Sequence, residues 1–146
     1  MKNQILFKSI NQKDKNYLWK SYQKAMKSHI ENIWGWNLTW QKNDFNKNLS
    51  HYKNYILCLS DNRIGYVQYK IENNECYINM LILEPEYQSK GLGSEILATI
   101  LARKSISSIK LRCFKVNIKA YRFYINQGFD VIDEDDDFYL LYLPKH

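Results

Sequence analysis

Residues 88–94, Gln-Ser-Lys-Gly-Leu-Gly-Ser, place a lysine and two glycines between an apolar run, Leu81-Ile82-Leu83, and a segment with apolar residues at Ile96, Leu97, Ile100 and Leu101. Gly91 and Gly93 lack a Cβ, which permits unusual φ values and close approach of another group. The first N–H groups of a helix have no intrahelical partners, and with the helix dipole they favour negative charge. Lys90 adds a mobile cation beside them. The chemistry that fits is the seating of a phosphate or diphosphate. An ordinary strand-to-helix turn uses glycines in the same way. A Walker loop is excluded, because no Gly-Lys-Ser/Thr follows. A Rossmann site is disfavoured, because the preceding strands read as a meander.

Two further stretches carry residues that could act. In 117–129, Asn117 is placed to cap a helix and Gly128 to end it. Tyr124 lies between them, either as a core aromatic or as a phenol facing a site. In 28–37, His29 and Glu31 precede Trp34 and Trp36, which flank Gly35. Two such tryptophans are core, or they wall a pocket that stacks on an apolar or cationic group.

The elements that must position these residues follow from periodicity. Residues 4–10 read as a strand. Residues 13–34 carry Tyr17, Leu18, Tyr22, Met26 and Ile30 at amphipathic-helix spacing. Residues 39–52 read as a shorter helix with Trp40 and Phe45 inward. Three strand-like runs follow, 54–60, 63–71 and 76–83. They are joined at Asp61-Asn62 and at Glu72 to Glu75, the Asx-rich connectors of hairpins. After the glycine turn come a helix, a strand at 109–116, the Asn117 helix and a final strand pair joined by an acidic turn. The order is β-α-α-β-β-β-α-β-α-β-β. This is an α+β fold with a mixed, mostly antiparallel sheet, since a strand–helix–strand unit around the turn favours parallel pairing there.

Composition bounds the classes of function. The 146 residues are 45% hydrophobic and 25% charged, which describes a globular chain. We expect a single domain, 1–146, of a size that buries roughly 70% of its unfolded surface. The formal charge of +6 is either attraction for an anion or a lysine-rich surface. The basic residues are scattered, which makes nucleic acid an unlikely partner. Cys58, Cys76 and Cys113 are odd in number and lack Cys-x-x-Cys spacing, so neither a disulfide framework nor a metal site is expected. No run approaches transmembrane length and the N-terminus lacks a signal-peptide core, so we expect no membrane partner and a cytoplasmic location.

The motif around the glycine turn resembles the acetyl-CoA-binding motif of the GNAT superfamily of N-acetyltransferases. The hallmark Gln/Arg-x-x-Gly-x-Gly/Ala is matched by Gln88, Gly91 and Gly93. Leu81-Ile82-Leu83, Pro85, Glu86 and Tyr87 stand in the register that the family places before it. The helix resembles the family's Asn-x-x-Ala-x-x-x-Tyr-x-x-x-Gly-Phe through Asn117, Ala120, Tyr124, Gly128 and Phe129. The likeness covers residues 52–143 well; residues 1–50 match in element order alone.

The resemblance implies one GNAT-like domain with helices flanking the sheet and a splayed strand pair at the cofactor site. It implies acetyl-CoA as co-substrate, with its diphosphate on the N–H groups of Gln88, Ser89, Lys90, Gly91, Leu92, Gly93 and Ser94. The pantetheine arm would run along Leu81, Ile82 and Leu83 like an added strand, with Asn117 hydrogen-bonded to it. Tyr124 would contact the cofactor and protonate the departing thiolate. Many relatives carry a Glu that acts as general base on the strand entering the turn; here Tyr77 and Asn79 stand there, which leaves two alternatives, a water relay ordered by these two or Glu31 or His29 as the base. Pleat alternation would put Glu75, Tyr77, Asn79, Leu81 and Leu83 on one face. His29, Glu31, Trp34 and Trp36 would border the acceptor, with Glu31 favouring a cationic amine. The acceptor would be a small or medium-sized primary amine attacking directly in a ternary complex. The alternatives are a protein or peptide N-acetyltransferase and a non-catalytic acyl-CoA-binding module. A homodimer is common in the superfamily.

Overall fold

The computed structural model describes residues 4–145. Strand β1 is Ile5–Ser9. A short 3-10 turn, capped by Asn11, leads into helix α1, Lys15–Trp34. Gly35 ends it with a positive φ, 79°, and Asn37 caps α2, Leu38–His51, by accepting from the Trp40 N–H. Strands β2 (Lys53–Leu59), β3 (Asn62–Glu72) and β4 (Glu75–Leu83) form the meander. Helix α3 is Leu92–Leu101, β5 is Ser108–Phe114, α4 is Ile118–Asn126, β6 is Asp130–Glu134 and β7 is Phe138–Pro144. This is the element order expected from periodicity.

The β3–β4 turn shows how local the code is. Asn73 and Asn74 both adopt positive φ, 51° and 64°, and Glu72 pairs with Glu75. That is the two-residue primed turn whose twist matches its strands.

The seven strands run in the order β1-β2-β3-β4-β5-β7-β6. All pairs are antiparallel except β4 with β5. Two apolar clusters cover the two faces. Leu18, Tyr22 and Ile30 of α1 and Phe45 of α2 pack on Ile56, Tyr66 and Ile82. Ile96, Leu97 and Ile100 of α3 and Tyr124 of α4 pack on Leu57, Val67, Ile78 and Leu111. Each fully buried aliphatic contributes about 1.5–3 kcal/mol. The expected inward pair on α2 divides: Phe45 is 5% exposed, but Trp40 is 58% exposed. Gln41 takes the inward place, buried with its Oε1 accepting from the Tyr22 hydroxyl at 3.2 Å. A helix turns 100° per residue, so its apolar stripe cannot hold both.

Two irregularities shape the centre. Gln68 faces Met80 and Tyr69 faces Ile78, which leaves Asn79 as the extra residue of a β-bulge. The bulge shifts the pleat. Cys76 and Ile78 pack on the α3 side, and so do Leu81 and Leu83 beyond it, while Met80 and Ile82 pack on the α1 side. The single face expected from strict alternation therefore does not exist; one inserted residue inverts every side chain beyond it. The second irregularity is the parting of β4 from β5. Their parallel pairing runs from Glu75–Ser108 to Ile78–Leu111 and stops there, although both strands continue.

Candidate active site

The parting opens a cleft of about 370 Å³. Its walls come from both faces of the sheet: Tyr22, Asp44 and Phe45 on the α1–α2 side, Asn117, Ala120 and Tyr124 on the α4 side. Residues Asn79 to Ile82 of β4 and Leu111 to Phe114 of β5 line it from either strand. The cleft is therefore a slot through the sheet, and the β4 edge facing β5 is unpaired along that length.

The glycine turn follows the end of β4 and leads into α3. After a 3-10 turn at Pro85–Tyr87, Ser89 adopts φ 60° and Gly91 φ 80°. Gly91 is the N-cap of α3, and the first helical bond runs from the Glu95 N–H to its carbonyl at 3.2 Å. The N–H groups of Leu92, Gly93 and Ser94 precede that bond. The two glycines serve different needs. Gly91 meets the backbone demand, since side chains rarely adopt its φ and nothing lies within 4 Å of its absent Cβ. Gly93 meets a packing demand: a Cβ there would lie 2.7 Å from Phe123 Cζ.

Gln88 is tied into this turn. Its Nε2 donates to the Leu83 carbonyl at 2.8 Å, and Lys119 Nζ donates to its Oε1 at 2.8 Å. Lys119, at the start of α4, thus brings a second cation to the turn; Lys90 lies over the Tyr87 ring, 6.0 Å from its centroid. Asn117 caps α4, its Oδ1 accepting from the Ala120 N–H at 3.3 Å. That leaves its NH2 as the free donor in the cleft wall.

Tyr124 lies in the α4 wall, 8% exposed. Burial first, and the Cys113 thiol beside it second, push its hydroxyl well above the usual tyrosine value. Tyr77 stacks on Tyr52, centroids 6.5 Å apart, and burial raises its hydroxyl too, with Arg112 opposing. Both are protonated phenols at neutral pH: donors, and not bases. Burial likewise lifts Cys113 to about 11 and Cys76 to about 12, which makes both unreactive as thiolates. All three cysteines are free and buried.

The 28–37 segment is divided by the structure. Trp34 lines the cleft and, with Trp36 and Trp40, an adjoining vestibule at its mouth. Trp34 Nε1 donates to Asp137 Oδ2 at 3.2 Å. His29 lies against Phe114, ring centroids 6.4 Å apart, outside the residues that line the cleft. Glu31 is exposed and pairs with Lys27 at 3.7 Å, one turn away on the same helix.

Three lining residues carried no signal in the sequence. Asp44 is the one carboxylate among the described residues of the cleft wall, with Asn48 Nδ2 donating to it at 3.5 Å. Its charge is felt by Tyr22, whose hydroxyl is raised to about 12 by burial first and Asp44 second. Gln68 is buried within a polar ladder. The Tyr66 hydroxyl is fully buried and has no hydrogen-bond partner. Alternation puts Tyr66 and Gln68 of β3 on one face without marking a cavity, and only assembly of α2 over the sheet brings Asp44 to them.

A sheet parted beyond one parallel pair, with a helix N-terminus at the parting, is the fold of the acetyltransferases. An acetyltransferase from Thermus thermophilus superposes with a TM-score of 0.77 at 18% identity, covering 99% of each chain. The PaiA N-acetyltransferase of Thermoplasma acidophilum, solved in complex with coenzyme A, superposes at 0.73 and 20% identity, over 97% of this chain and 99% of that one. The chain belongs to the acetyltransferase (GNAT) family, whose model matches residues 15–129. Among curated proteins, a spermidine N(1)-acetyltransferase of Thermoplasma acidophilum is 31% identical over 81 residues, 53% of this chain. The match spans 50% of that relative's length. No described helix is long and apolar enough to cross a membrane.

Proposed function

We propose that this protein transfers the acetyl group of acetyl-CoA to a primary amine of a small or medium-sized acceptor, both bound at once. The observation that carries this reading is the slot through the sheet. Its unpaired β4 edge can take the amides of a pantetheine arm, and unpartnered N–H groups lie at the turn where a diphosphate would follow. The residues present fit that co-substrate: Gly91 to Ser94 for the diphosphate, Lys119 and Lys90 for its charge, and the Asn117 NH2 for the arm.

Acetyl-CoA supplies an activated acyl carbon, and everything else falls to the chain. An alkyl amine with a lysine-like pKa of ~10.4 arrives protonated and must lose a proton before it attacks. Asn79 has no basicity, and Tyr77 is held as a phenol, so together they serve to order the amine and a water that carries the proton away. Asp44, in the wall on the α2 side, draws a cationic acceptor in. The N–C bond forms as the C–S bond breaks. The Tyr124 O–H donates a hydrogen bond to the departing sulfur. A coenzyme A thiolate has a pKa near the ~8.5 of cysteine, and Tyr124 stands above the usual ~10. Full transfer of its proton is uphill, so Tyr124 stabilises the thiolate by donation and the proton that neutralises the thiolate derives from the amine.

The printed name of the curated relative makes spermidine the first acceptor to try. The test is incubation with acetyl-CoA and a panel of mono-, di- and polyamines, read by free thiol. Thiol release that requires an amine supports the reading. Tight acetyl-CoA binding without turnover on any amine replaces it with an acyl-CoA-binding module.

A further inference from the structure

Three amide side chains lie side by side on adjacent strands on the α2 side of the sheet. Asn54 of β2 and Gln68 of β3 are register partners, 8% and 2% exposed. Asn79 is the extra residue of the bulge in β4. Asn54 Nδ2 donates to the backbone carbonyls of Leu49 at 2.9 Å and Tyr52 at 3.0 Å, where α2 ends. A carbonyl only accepts, so the group facing both must be the NH2. Every other amide in the row is then fixed. Asn54 Oδ1 accepts from Gln68 Nε2 at 2.7 Å, and Gln68 Oε1 accepts from Asn79 Nδ2 at 2.6 Å. The ladder ends at Asn79, a residue of the cleft wall, and the atom it leaves unengaged is the carbonyl oxygen Oδ1.

We propose that Asn54 and Gln68 are positioning residues of the transfer site, which hold Asn79 so that it offers the acceptor amine an oxygen and never an NH2. The inference rests on the transfer reading above. The sign of the amide matters to the chemistry. An oxygen takes one N–H of the incoming amine and leaves its lone pair free to attack. An NH2 in the same place would donate to that lone pair and occupy the electrons the reaction needs. A flipped Asn79 would set its oxygen against Gln68 Oε1, two acceptors in a buried site, and the anchoring carbonyls of Leu49 and Tyr52 prevent Gln68 and Asn54 from flipping to accommodate it. The bulge is what makes the contact, since it turns the extra residue toward Gln68.

Two measurements test this. In 15N-labelled protein, the side-chain NH2 signals of Gln68 and Asn79 should exchange with solvent at least tenfold more slowly than those of exposed amides such as Asn126. Exchange as fast as the exposed set overturns the proposal, whatever the enzyme does. The second is a kinetic cycle with acetyl-CoA and spermidine, or the best amine of the panel: Gln68→Met, Asn79→Leu and the double variant. Gln68→Met should lower kcat about tenfold or more, in line with small misplacements of reacting groups, with acetyl-CoA affinity by calorimetry within twofold of wild type. The double variant should be no slower than Asn79→Leu alone, because Gln68 acts only through Asn79. Losses that multiply, as two independent defects would, overturn it. Should Gln68→Met fail to fold, Asn54→Ala runs the same cycle. Protected amides in a wild-type protein that acetylates no amine would defeat the transfer reading and with it the positioning role, leaving the ladder a structural tie.

Discussion

Gly93→Ala tests the geometry of the glycine turn most directly. The added methyl would sit 2.7 Å from Phe123 Cζ and 3.1 Å from Cε1, against an ordinary contact of 3.4 Å or more. Several tenths of an ångström must be found. Gly93 is helical and its backbone is held between the Gly91 cap and the α3 core contacts, so the Phe123 ring must move. Phe123 is half-buried and the clash is with the far edge of its ring, which places the cost at the low end of the 1–3 kcal/mol typical of overpacking, about 1 kcal/mol. Alanine's helix preference over glycine returns about 0.5–1 kcal/mol, so the net melting shift stays below roughly 2–4 °C and the clash is read from the coupling to Phe123. The assay is urea and thermal unfolding of Gly93→Ala, Phe123→Leu and the double variant. Removing the ring edge should abolish the clash, so the two changes should couple favourably by about 0.5–1 kcal/mol. Gly91→Ala is the control: it has open space, so Phe123→Leu should not rescue it, and its cost comes from the left-handed backbone. Strict additivity of Gly93→Ala with Phe123→Leu would refute the packing argument.

Tyr124→Phe should lower kcat by about tenfold to a hundredfold, the loss of one donor to a developing anion, while calorimetry shows acetyl-CoA affinity nearly unchanged; equal turnover would remove the hydroxyl from the reaction. Asp44→Asn should raise KM for spermidine about fivefold, as for one partly exposed ion pair, and leave a monoamine nearly unaffected; equal effects on both would deny Asp44 a role in reading charge. Cys76 and Cys113 have raised values in the folded chain, about 12 and about 11, so the unfolded chain loses their protons first as pH rises. Their contribution is fully present below the unfolded value of about 9.0 and is lost between there and pH 11–12. Urea midpoints should fall over that window, and less steeply in Cys113→Ala.

Much of this molecule was legible in one dimension. The paired glycines, the Asn117 cap, the Asn73-Asn74 turn and the apolar stripes each act within a few residues, through φ limits, orphan N–H groups and helix or strand periodicity. Those rules are local, so sequence order alone yields the elements, their succession and the glycine turn with its orphan N–H groups. The tertiary structure decided what those rules do not reach. The bulge at Asn79 arises from the register between β3 and β4, and it overturned the face assigned to Leu81 and Leu83. Trp40 turned outward because Gln41 found a buried partner in Tyr22, a contact made only when α1 and α2 pack together. Asp44 and the row Asn54–Gln68–Asn79 join residues far apart in the chain. Hydrogen bonds of that kind depend on distances in space, and no spacing along the chain encodes them.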